Sequence, residues 1–249
     1  MIDPLRFAIF HLGVGLLTVP FTLAVLMAWP LPYRVREGIA RAWCHCVLVW
    51  LAATWGVRHR VVGSEQLPSA DTPVVVLSNH QSAWETIAYR TLFPAPTSWV
   101  IKRSLFRVPF YGWGLRALEE IGIDRRARVG ALRQIEEQGR HHLAAGRWVI
   151  TFPEGTRAPA GRLGRFASGG ARLACAADAR VLPVAVDSGE FWPVSGWRKK
   201  AGRITVRIGP PIDCRDRSPE EVSRLAREWI AGALGIDATG YSATAGAVE

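Results

Sequence analysis

The sequence predicts an α/β fold: a single domain with a mostly parallel sheet flanked by helices, preceded by an N-terminal hydrophobic two-helix membrane-binding motif. Two apolar stretches open the chain, and short apolar runs then alternate with helical periodicity over about 175 residues. A length of 249 residues accommodates one such domain with an appendage. We therefore divide the chain into a hydrophobic helical pair at 1–56, an α/β domain at 57–235 and a loose C-terminal tail at 236–249.

The two apolar stretches have the composition of membrane-associated helices. Phe7–Leu31 is 25 residues without an acidic residue, lysine or arginine, which is long enough to span a bilayer, although Pro20 interrupts it. Ala42–Gly56 has 15 residues, too few for an ordinary span. Arginines lie between the stretches and after the second one, at Arg34, Arg36, Arg41, Arg58 and Arg60. If both stretches crossed, one arginine cluster would lie outside, against the positive-inside tendency. We expect either a helical pair dipped into the cytoplasmic leaflet or one span followed by an interfacial helix.

The composition indicates an anionic membrane partner. Thirty-one basic and 21 acidic residues leave a net charge of +10, and only three of the basic residues are lysine. A positive mean hydropathy and eleven tryptophans favour lipid over nucleic acid. We expect the chain at the inner (cytoplasmic) membrane, with the α/β domain on the cytoplasmic side and no nucleic-acid partner. Four cysteines form no disulfide framework in a chain of this length, and their pattern indicates no metal or prosthetic group.

From residue 57 the chain alternates between predicted strands and helices. Strands are predicted at Val57–Val62, Pro73–Leu77, Ser98–Lys102, Ile121–Asp124, Trp148–Phe152, Val181–Asp187 and Arg203–Ile208. Helices are predicted at Ser82–Leu92, Ser104–Leu118, Val129–Ala145, Gly169–Ala177 and Pro219–Leu234. The last helix has the clearest start, because Ser218 suits the N-cap, Pro219 the first turn and Glu221 a capping box.

The turn Ser78–Glu85 carries the first candidate chemistry. His80 follows a buried apolar run, at the carboxyl end of a strand, where open α/β sheets place their ligand sites. Glu85 lies five residues on, an offset of about 140° on a regular helix. The two side chains therefore meet only if His80 lies in the turn and Glu85 reaches back from the start of the helix. A histidine base oriented by a carboxylate and a purely structural polar turn both remain open on this stretch.

Basic residues stand at three further predicted strand ends. In the segment Phe152–Arg157, Gly155 permits close backbone approach to a ligand and Arg157 offers a planar fork suited to phosphate oxygens. Arg125 and Lys102 each end a shorter strand. Each residue alone is also compatible with a structural or surface role. Because one edge of a parallel sheet collects the carboxyl ends of its strands, the set together with the histidine indicates an anion-binding site.

Four segments resemble, in order and rough spacing, the four motif blocks of the glycerolipid acyltransferases. These segments are Asn79-His80-x4-Glu85, Gly122–Arg125, Phe152–Arg157 and Val181–Val186. The chain is most similar to the lysophosphatidic acid acyltransferase branch, of the bacterial PlsC type, over residues 60–210, and the hydrophobic N-terminal pair also resembles that branch. The first and third blocks together are specific, whereas the second and fourth are weak alone.

The resemblance implies transfer of a fatty acyl chain from acyl-CoA or acyl carrier protein to the free sn-2 hydroxyl of lysophosphatidic acid, giving phosphatidic acid. It implies that His80 acts as general base through Nε2 while Glu85 accepts from Nδ1–H. It also implies a set of residues that hold the lysophospholipid phosphate, with the last as a less central helper: Arg125, Glu154, Gly155, Thr156, Arg157 and Lys102. Pro183 is expected to shape the acyl or thioester side. No cofactor is implied.

Two departures from the family pattern keep alternatives open. The first block commonly ends in aspartate, whereas this chain has the longer Glu85. The segment after the third block is often lysine-rich, but here it is Phe166–Gly170, which leaves another acceptor such as lyso-ornithine lipid open. A rival mechanism makes Ser82 a nucleophile, although we expect it to be a helix N-cap. The alternative from a different functional class is a non-catalytic protein that binds the membrane surface through its basic residues.

Overall fold

The computed structural model of the chain describes residues 4–124, 129–194 and 199–237. Its strands are β1 (Val57–Val62), β2 (Val74–Ser78), β3 (Thr97–Lys102), β4 (Ile121–Ile123), β5 (Trp148–Thr151), β6 (Arg180–Val186) and β7 (Gly202–Ile208). Its helices are α1 (Pro4–Met27), α2 (Tyr33–Trp55), α3 (Glu85–Leu92), α4 (Tyr111–Ala117), α5 (Val129–Ala144), α6 (Gly169–Ala176) and α7 (Pro219–Leu234).

In the described part of the chain, seven strands form one sheet in the order β1-β7-β6-β2-β5-β3-β4. Neighbouring strands are parallel except for β6 and β7, so the predicted mostly parallel sheet is confirmed. The central strand β2 is buried along its whole length and lies between β5 and β6. The carboxyl ends of β2, β3, β5 and β6 consequently meet at one edge of the sheet.

Helices cover both faces of this sheet. Val74 and Val76 of β2 face the core shared with α2 and α3, whereas Val75 and Leu77 face the core shared with α5, α6 and α7. The alternation of side chains along a strand gives each face an apolar surface, which is why the strand sequence is apolar without interruption. Helix α7 has the predicted start, because the Ser218 hydroxyl accepts a hydrogen bond from the Glu221 amide at 3.2 Å.

The N-terminal pair is an antiparallel hairpin whose second helix is longer than predicted. Helix α1 continues through Pro20, so the expected interruption there is wrong. Helix α2 begins at Tyr33, not near residue 42, and therefore contains the three arginines that lie between the two apolar stretches. Arg36 donates to the Ala117 carbonyl at 2.6 Å and Arg41 donates to the Phe93 carbonyl at 3.0 Å. These long-range partners stabilise a charged helical turn that local hydropathy does not predict.

The helix predicted at Ser104–Leu118 is also wrong as a single element. A 3₁₀ turn covers Arg103–Arg107, and α4 starts only at Tyr111. Pro109 has no amide hydrogen and disfavours helical geometry in the residue before it, so the chain breaks there. Phe110 follows with a positive φ of 57°.

The end of the described chain packs onto the domain. Ile236 is buried in a cluster that includes Phe166 and Ile230. Residues 238–249, which make up most of the tail predicted at 236–249, lie outside the described residues.

Candidate active site

The turn between β2 and α3 is fixed by its side chains to the end of β6. The Asn79 amide donates to the Val186 carbonyl at 2.8 Å and accepts from the Val186 amide at 2.9 Å. The Gln81 side-chain oxygen accepts from the Gly189 amide at 3.0 Å. His80, between these two anchors, therefore has a defined backbone position before any ligand binds.

Glu85 is the first residue of α3 and its carboxylate is completely buried. Its oxygens accept hydrogen bonds from the backbone amides of Gln81 and Ser82 at 3.0–3.1 Å, and the Ser188 hydroxyl donates to Oε1. The carboxylate thus folds back over the turn, which is how the five-residue offset from His80 is bridged. The expected N-cap role of Ser82 is wrong: its hydroxyl accepts from the Trp84 amide at 2.9 Å, and α3 starts at the carboxylate itself.

The imidazole of His80 lies between this carboxylate and an aromatic ring. Nδ1 is 3.3 Å from Oε2 of Glu85, but the contact is not aligned as a hydrogen bond. On its face the imidazole stacks on Phe152, with ring centroids 4.0 Å apart and planes 12° apart. Catalytic hydrogen bonds are often poorly aligned before substrate binds, so this geometry is compatible with a carboxylate-oriented base.

The segment after β5 is held to the histidine turn through Glu154. One carboxylate oxygen accepts from the His80 amide and the other from the Gly164 amide, each at 2.9 Å. Burial raises the pKa of Glu154, and the two amide donors act against that increase. The Glu154 carboxylate therefore connects the turn at His80 to the loop at Gly164 through their backbone amides. Thr156 and Arg157, in contrast, are exposed.

A cavity of about 390 Å³ starts at this turn and runs between the helices and the sheet. His80, Lys102 and Arg157 line it together with Phe152. Its apolar wall comes from α1, α2, α3, β3 and α4, with residues such as Phe21, Val25, Trp43, Ile87, Trp99 and Leu115. Lys102 and Arg157 are exposed, which places them at the mouth, while much of the wall is buried.

A buried ionic cluster lines the inner part of the same cavity. The Arg90 guanidinium of α3 binds the carboxylates of Glu37 and Glu120, and all three side chains are buried. Glu120 also accepts from the Trp99 amide. One guanidinium balances only one of two buried carboxylates, and burial raises the pKa of Glu120 to about 7. The cluster can therefore be neutral as a whole if one carboxyl keeps its proton.

The structure brings together five of the predicted site residues: His80, Glu85, Lys102, Glu154 and Arg157. Arg125 lies outside the described residues. Gly155 makes the positive-φ turn after β5, at 71°. Pro183 lies inside β6, paired with Leu77, and is not among the residues that line the cavity.

Two contributions to the site were missed by sequence reasoning. Ser188 follows the end of β6, so the same strand-end rule could have selected it as a neighbour of Glu85. Phe152 belongs to the third block, but its stacking on His80 has no local sequence signal, because 72 positions separate the two rings.

Comparisons with known proteins agree on one family. The family model described as Acyltransferase matches residues 58–187. A 1-acyl-sn-glycerol-3-phosphate acyltransferase from Pseudomonas aeruginosa is 41% identical over 213 residues, which cover 84% of this chain and 82% of that protein. A 1-acyl-sn-glycerol-3-phosphate acyltransferase from Chlamydomonas reinhardtii is 27% identical over 239 residues, covering 94% and 71%. The crystal structure of the 1-acyl-sn-glycerophosphate (LPA) acyltransferase PlsC from Thermotoga maritima has a TM-score of 0.77 at 25% identity, covering 93% of this chain and 94% of that one.

Proposed function

The chain belongs to the acyltransferase family, and from that premise we propose that it moves a fatty acyl chain from acyl-CoA or acyl carrier protein to the sn-2 hydroxyl of lysophosphatidic acid, giving phosphatidic acid. The observation that carries this proposal is the placement of His80, backed by a buried carboxylate, at the mouth of an apolar cavity that two cationic side chains also line. The names of the relatives support the choice of acceptor.

In the proposed mechanism His80 is the general base. Nε2 takes the proton of the acceptor hydroxyl as its oxygen attacks the thioester carbonyl carbon. The carbon–sulfur bond then breaks, and the proton passes from Nε2 to the leaving thiolate, so the products are an ester and a free thiol. Glu85 stabilises the imidazolium from the Nδ1 side, where its Oε2 lies at 3.3 Å. A base in this position contributes about 10²- to 10⁴-fold to the rate.

Lys102 and Arg157 are the proposed phosphate ligands. Both are exposed at the mouth of the cavity, on the ends of β3 and the loop after β5. Arginine matches phosphate oxygens with a planar fork, and lysine supplies a point charge. Arg125, as a member of the second motif block, is proposed as a further ligand. Glu154, Gly155 and Thr156 are proposed to support the loop, in keeping with the backbone bonds that Glu154 accepts.

The apolar part of the cavity is the proposed site of the acyl chain. Its wall is formed by hydrophobic side chains from five elements, which suits an alkyl chain and excludes water from the thioester. Acyl-CoA and acyl carrier protein both present a thioester, so either donor suits this chemistry.

We propose that α1 associates with one leaflet of the membrane and does not cross it. Among the described residues α1 is the helix that is long and apolar enough to cross a bilayer. Its exposed apolar side chains recur every three or four positions, at Leu5, Ile9, Leu12, Leu16, Val19, Leu23 and Met27. However, Phe10 near one end packs against Trp192, and Val25 near the other end packs against Leu118. These contacts, roughly 22 Å apart along the helix, keep α1 alongside the α/β domain. A helix crossing the bilayer would take that domain into the hydrocarbon, so we propose that α1 lies in one leaflet of the inner membrane, with the domain on the cytoplasmic side.

The test is acyl transfer by the purified chain, with lysophosphatidic acid and lyso-ornithine lipid as acceptors and acyl-CoA and acyl carrier protein as donors. We expect phosphatidic acid from the wild type and a loss of about 10³-fold in His80→Ala. His141→Ala, which removes an exposed histidine of α5, is the matched control and should retain full activity. Transfer to lyso-ornithine lipid alone would replace the proposed acceptor. Equal activity in His80→Ala and the wild type would remove the proposed base.

The two other hypotheses find less support in the geometry. Ser82 is buried and its hydroxyl is engaged with Trp84 and Glu85, so a nucleophilic role would require the turn to open. A non-catalytic lipid-binding protein needs basic residues but has no use for a histidine that contacts a buried carboxylate.

A further inference from the structure

The chain just before α4 and the first turn of α4 expose a contiguous group of apolar side chains on the α/β domain. Val108, Phe110, Tyr111 and Trp113 are 43%, 36%, 37% and 44% exposed. The rings of Phe110 and Trp113 contact each other with centroids 4.9 Å apart. Single exposed apolar residues are ordinary on a protein surface, whereas a contiguous aromatic group indicates an interaction site. We refer to residues 108–113 as the aromatic loop.

The backbone of the aromatic loop is strained at Phe110. Phe110 has φ 57° and ψ −64°, and the Tyr111 amide donates to the Pro109 carbonyl at 2.7 Å, which is a γ-turn of the strained kind. A bulky residue in this conformation costs of order 1–3 kcal/mol. Glycine would avoid that cost, and burial of the ring would offset it. The Phe110 side chain is 36% exposed, so its burial offsets that cost only in part, and contact with a further apolar surface would offset more of it.

The aromatic loop adjoins both the cavity and α1. Tyr111 lines the cavity that Lys102 and Phe21 of α1 also line. Helix α4 packs closely on α1, since a methyl group added at Gly114 would meet the Thr22 hydroxyl at 3.6 Å. The exposed aromatic surface therefore continues the apolar surface of α1 past the entrance of the site.

Cationic side chains border the aromatic loop. Arg103, Arg107 and Arg116 are exposed on either side of it, and the Arg116 guanidinium lies 5.6 Å from the Phe106 ring centroid. Tryptophan, tyrosine and arginine together are typical of the interface between lipid headgroups and acyl chains. Arginines at this level also attract anionic lipids.

We propose that the aromatic loop is a second membrane anchor, which inserts Phe110 and Trp113 into the headgroup region of an anionic leaflet and seats the cavity mouth on it. This inference rests on the proposed action on a membrane lipid, and it assigns membrane contact to the α/β domain in addition to α1. An acceptor in the leaflet then reaches His80 without leaving the bilayer surface.

The first measurement is photolabelling of the full chain in vesicles of phosphatidylglycerol and phosphatidylethanolamine, with a diazirine near the phosphatidylglycerol headgroup. Cleavage after Arg107 and Arg116 isolates fragment 108–116, and cleavage after Arg133 and Arg140 isolates fragment 134–140 of α5 on the other face of the sheet. We expect about ten-fold more label on 108–116 than on 134–140. Equal labelling of the two fragments would overturn the proposal.

The second measurement uses Phe110→Gly combined with Trp113→Ser, because glycine removes the ring and relieves the strained φ, so loss of folding is not expected. We expect kcat/KM for an acceptor in vesicles to fall about ten-fold, while activity on a monomeric short-chain acceptor stays within about two-fold. Leu132→Ser, which changes an apolar residue of α5 with 37% exposure, should alter neither activity.

Other outcomes separate the rival occupants. Unchanged activity on vesicles would overturn the proposal. So would a loss confined to acyl carrier protein as donor, since the aromatic loop would then be a protein-docking surface. If the wild type transfers no acyl chain to any acceptor, the proposed function fails, and photolabelling of fragment 108–116 still decides the anchor independently.

Discussion

Two buried carboxylate sites lie beside the cavity, and their charges are compensated in different ways. At the mouth, the Glu85 carboxylate is held by backbone amides and a serine hydroxyl, with His80 as its titratable neighbour. In the inner part, the carboxylates of Glu37 and Glu120 are held by the guanidinium of Arg90.

The type of partner decides what each carboxylate charge can do. Arg90 is a permanent cation whose charge offsets one of the two carboxylates that it contacts, so this cluster serves to hold α2, α3 and β4 together. A carboxylate held by dipoles keeps its charge, and that charge can stabilise a proton on a neighbouring imidazole. We therefore assign the Arg90 cluster to stability and propose that Glu85 takes part in the chemistry, and the variants below test this assignment.

Arg90→Met should have the largest effect, and it should be on stability. The variant leaves two buried carboxylates without a cation, which typically costs about 3–5 kcal/mol in the free energy of unfolding. Urea unfolding in mild detergent, followed by circular dichroism, measures it. Arg140→Met is the matched control: Arg140 is exposed and lies 3.7 Å from Glu136, so its loss should cost under about 0.5 kcal/mol. Equal costs would show that the inner cluster is not a stability element.

Glu85→Gln should lower the catalytic rate, and its effect should not be on stability. Glutamine keeps the size of the side chain but not the charge that stabilises the imidazolium, so kcat should fall about 10²- to 10³-fold with little change in KM. Steady-state kinetics with lysophosphatidic acid measure both constants. Glu85→Asp restores the charge on a shorter side chain and should recover part of the loss. A Glu85→Gln enzyme with more than about a tenth of wild-type kcat would contradict the charge-based role.

The inner cluster should respond to pH with a definite sign. Burial raises the pKa of Glu120 from 4.5 to about 7, so between these values the unfolded chain has released a proton that the folded protein retains. The free energy of unfolding is therefore highest below pH 4.5. It falls by up to about 1.4 kcal/mol per pH unit as the pH rises, and it stops falling above about pH 7. Glu120→Gln should lack this dependence and exceed the wild type in stability at pH 8. Urea midpoints at pH 5, 6, 7 and 8 check it, and a constant difference between the two proteins would contradict it.

Removing the hydroxyls around Glu85 should give the smallest effects. Ser188→Ala removes a donor to a buried carboxylate, and we expect kcat to fall about ten-fold. Ser82→Ala should lose less, because the backbone amides of Gln81 and Ser82 continue to hold the two carboxylate oxygens. Single-turnover acyl transfer compares the two variants. A loss in Ser82→Ala as large as that in His80→Ala would favour the nucleophile mechanism.

Much of this architecture follows from local sequence. The alternation of apolar runs and helical periods predicts the sheet, and the end of β2 predicts the position of His80. Local pattern fails where partners are remote. Arg36 is helical because it bonds the Ala117 carbonyl, 81 positions away, and Glu85 is satisfied in part by Ser188, 103 positions away. The break at Pro109 had a local signal that the apolar periodicity on both sides concealed.

Helix α1 contributes Thr18, Phe21, Thr22 and Val25 to the wall of the cavity, although among the described helices it also exposes the most large apolar side chains. Under the proposed membrane mode, one face of this helix contacts lipids and another contacts the acyl group. Mutations that adapt α1 to a thicker or stiffer bilayer also change how it packs on the domain. They therefore change the shape of the cavity that the acyl chain would occupy. Under the proposed function, selection on membrane fit and selection on product composition act on the same 24 residues and cannot proceed independently.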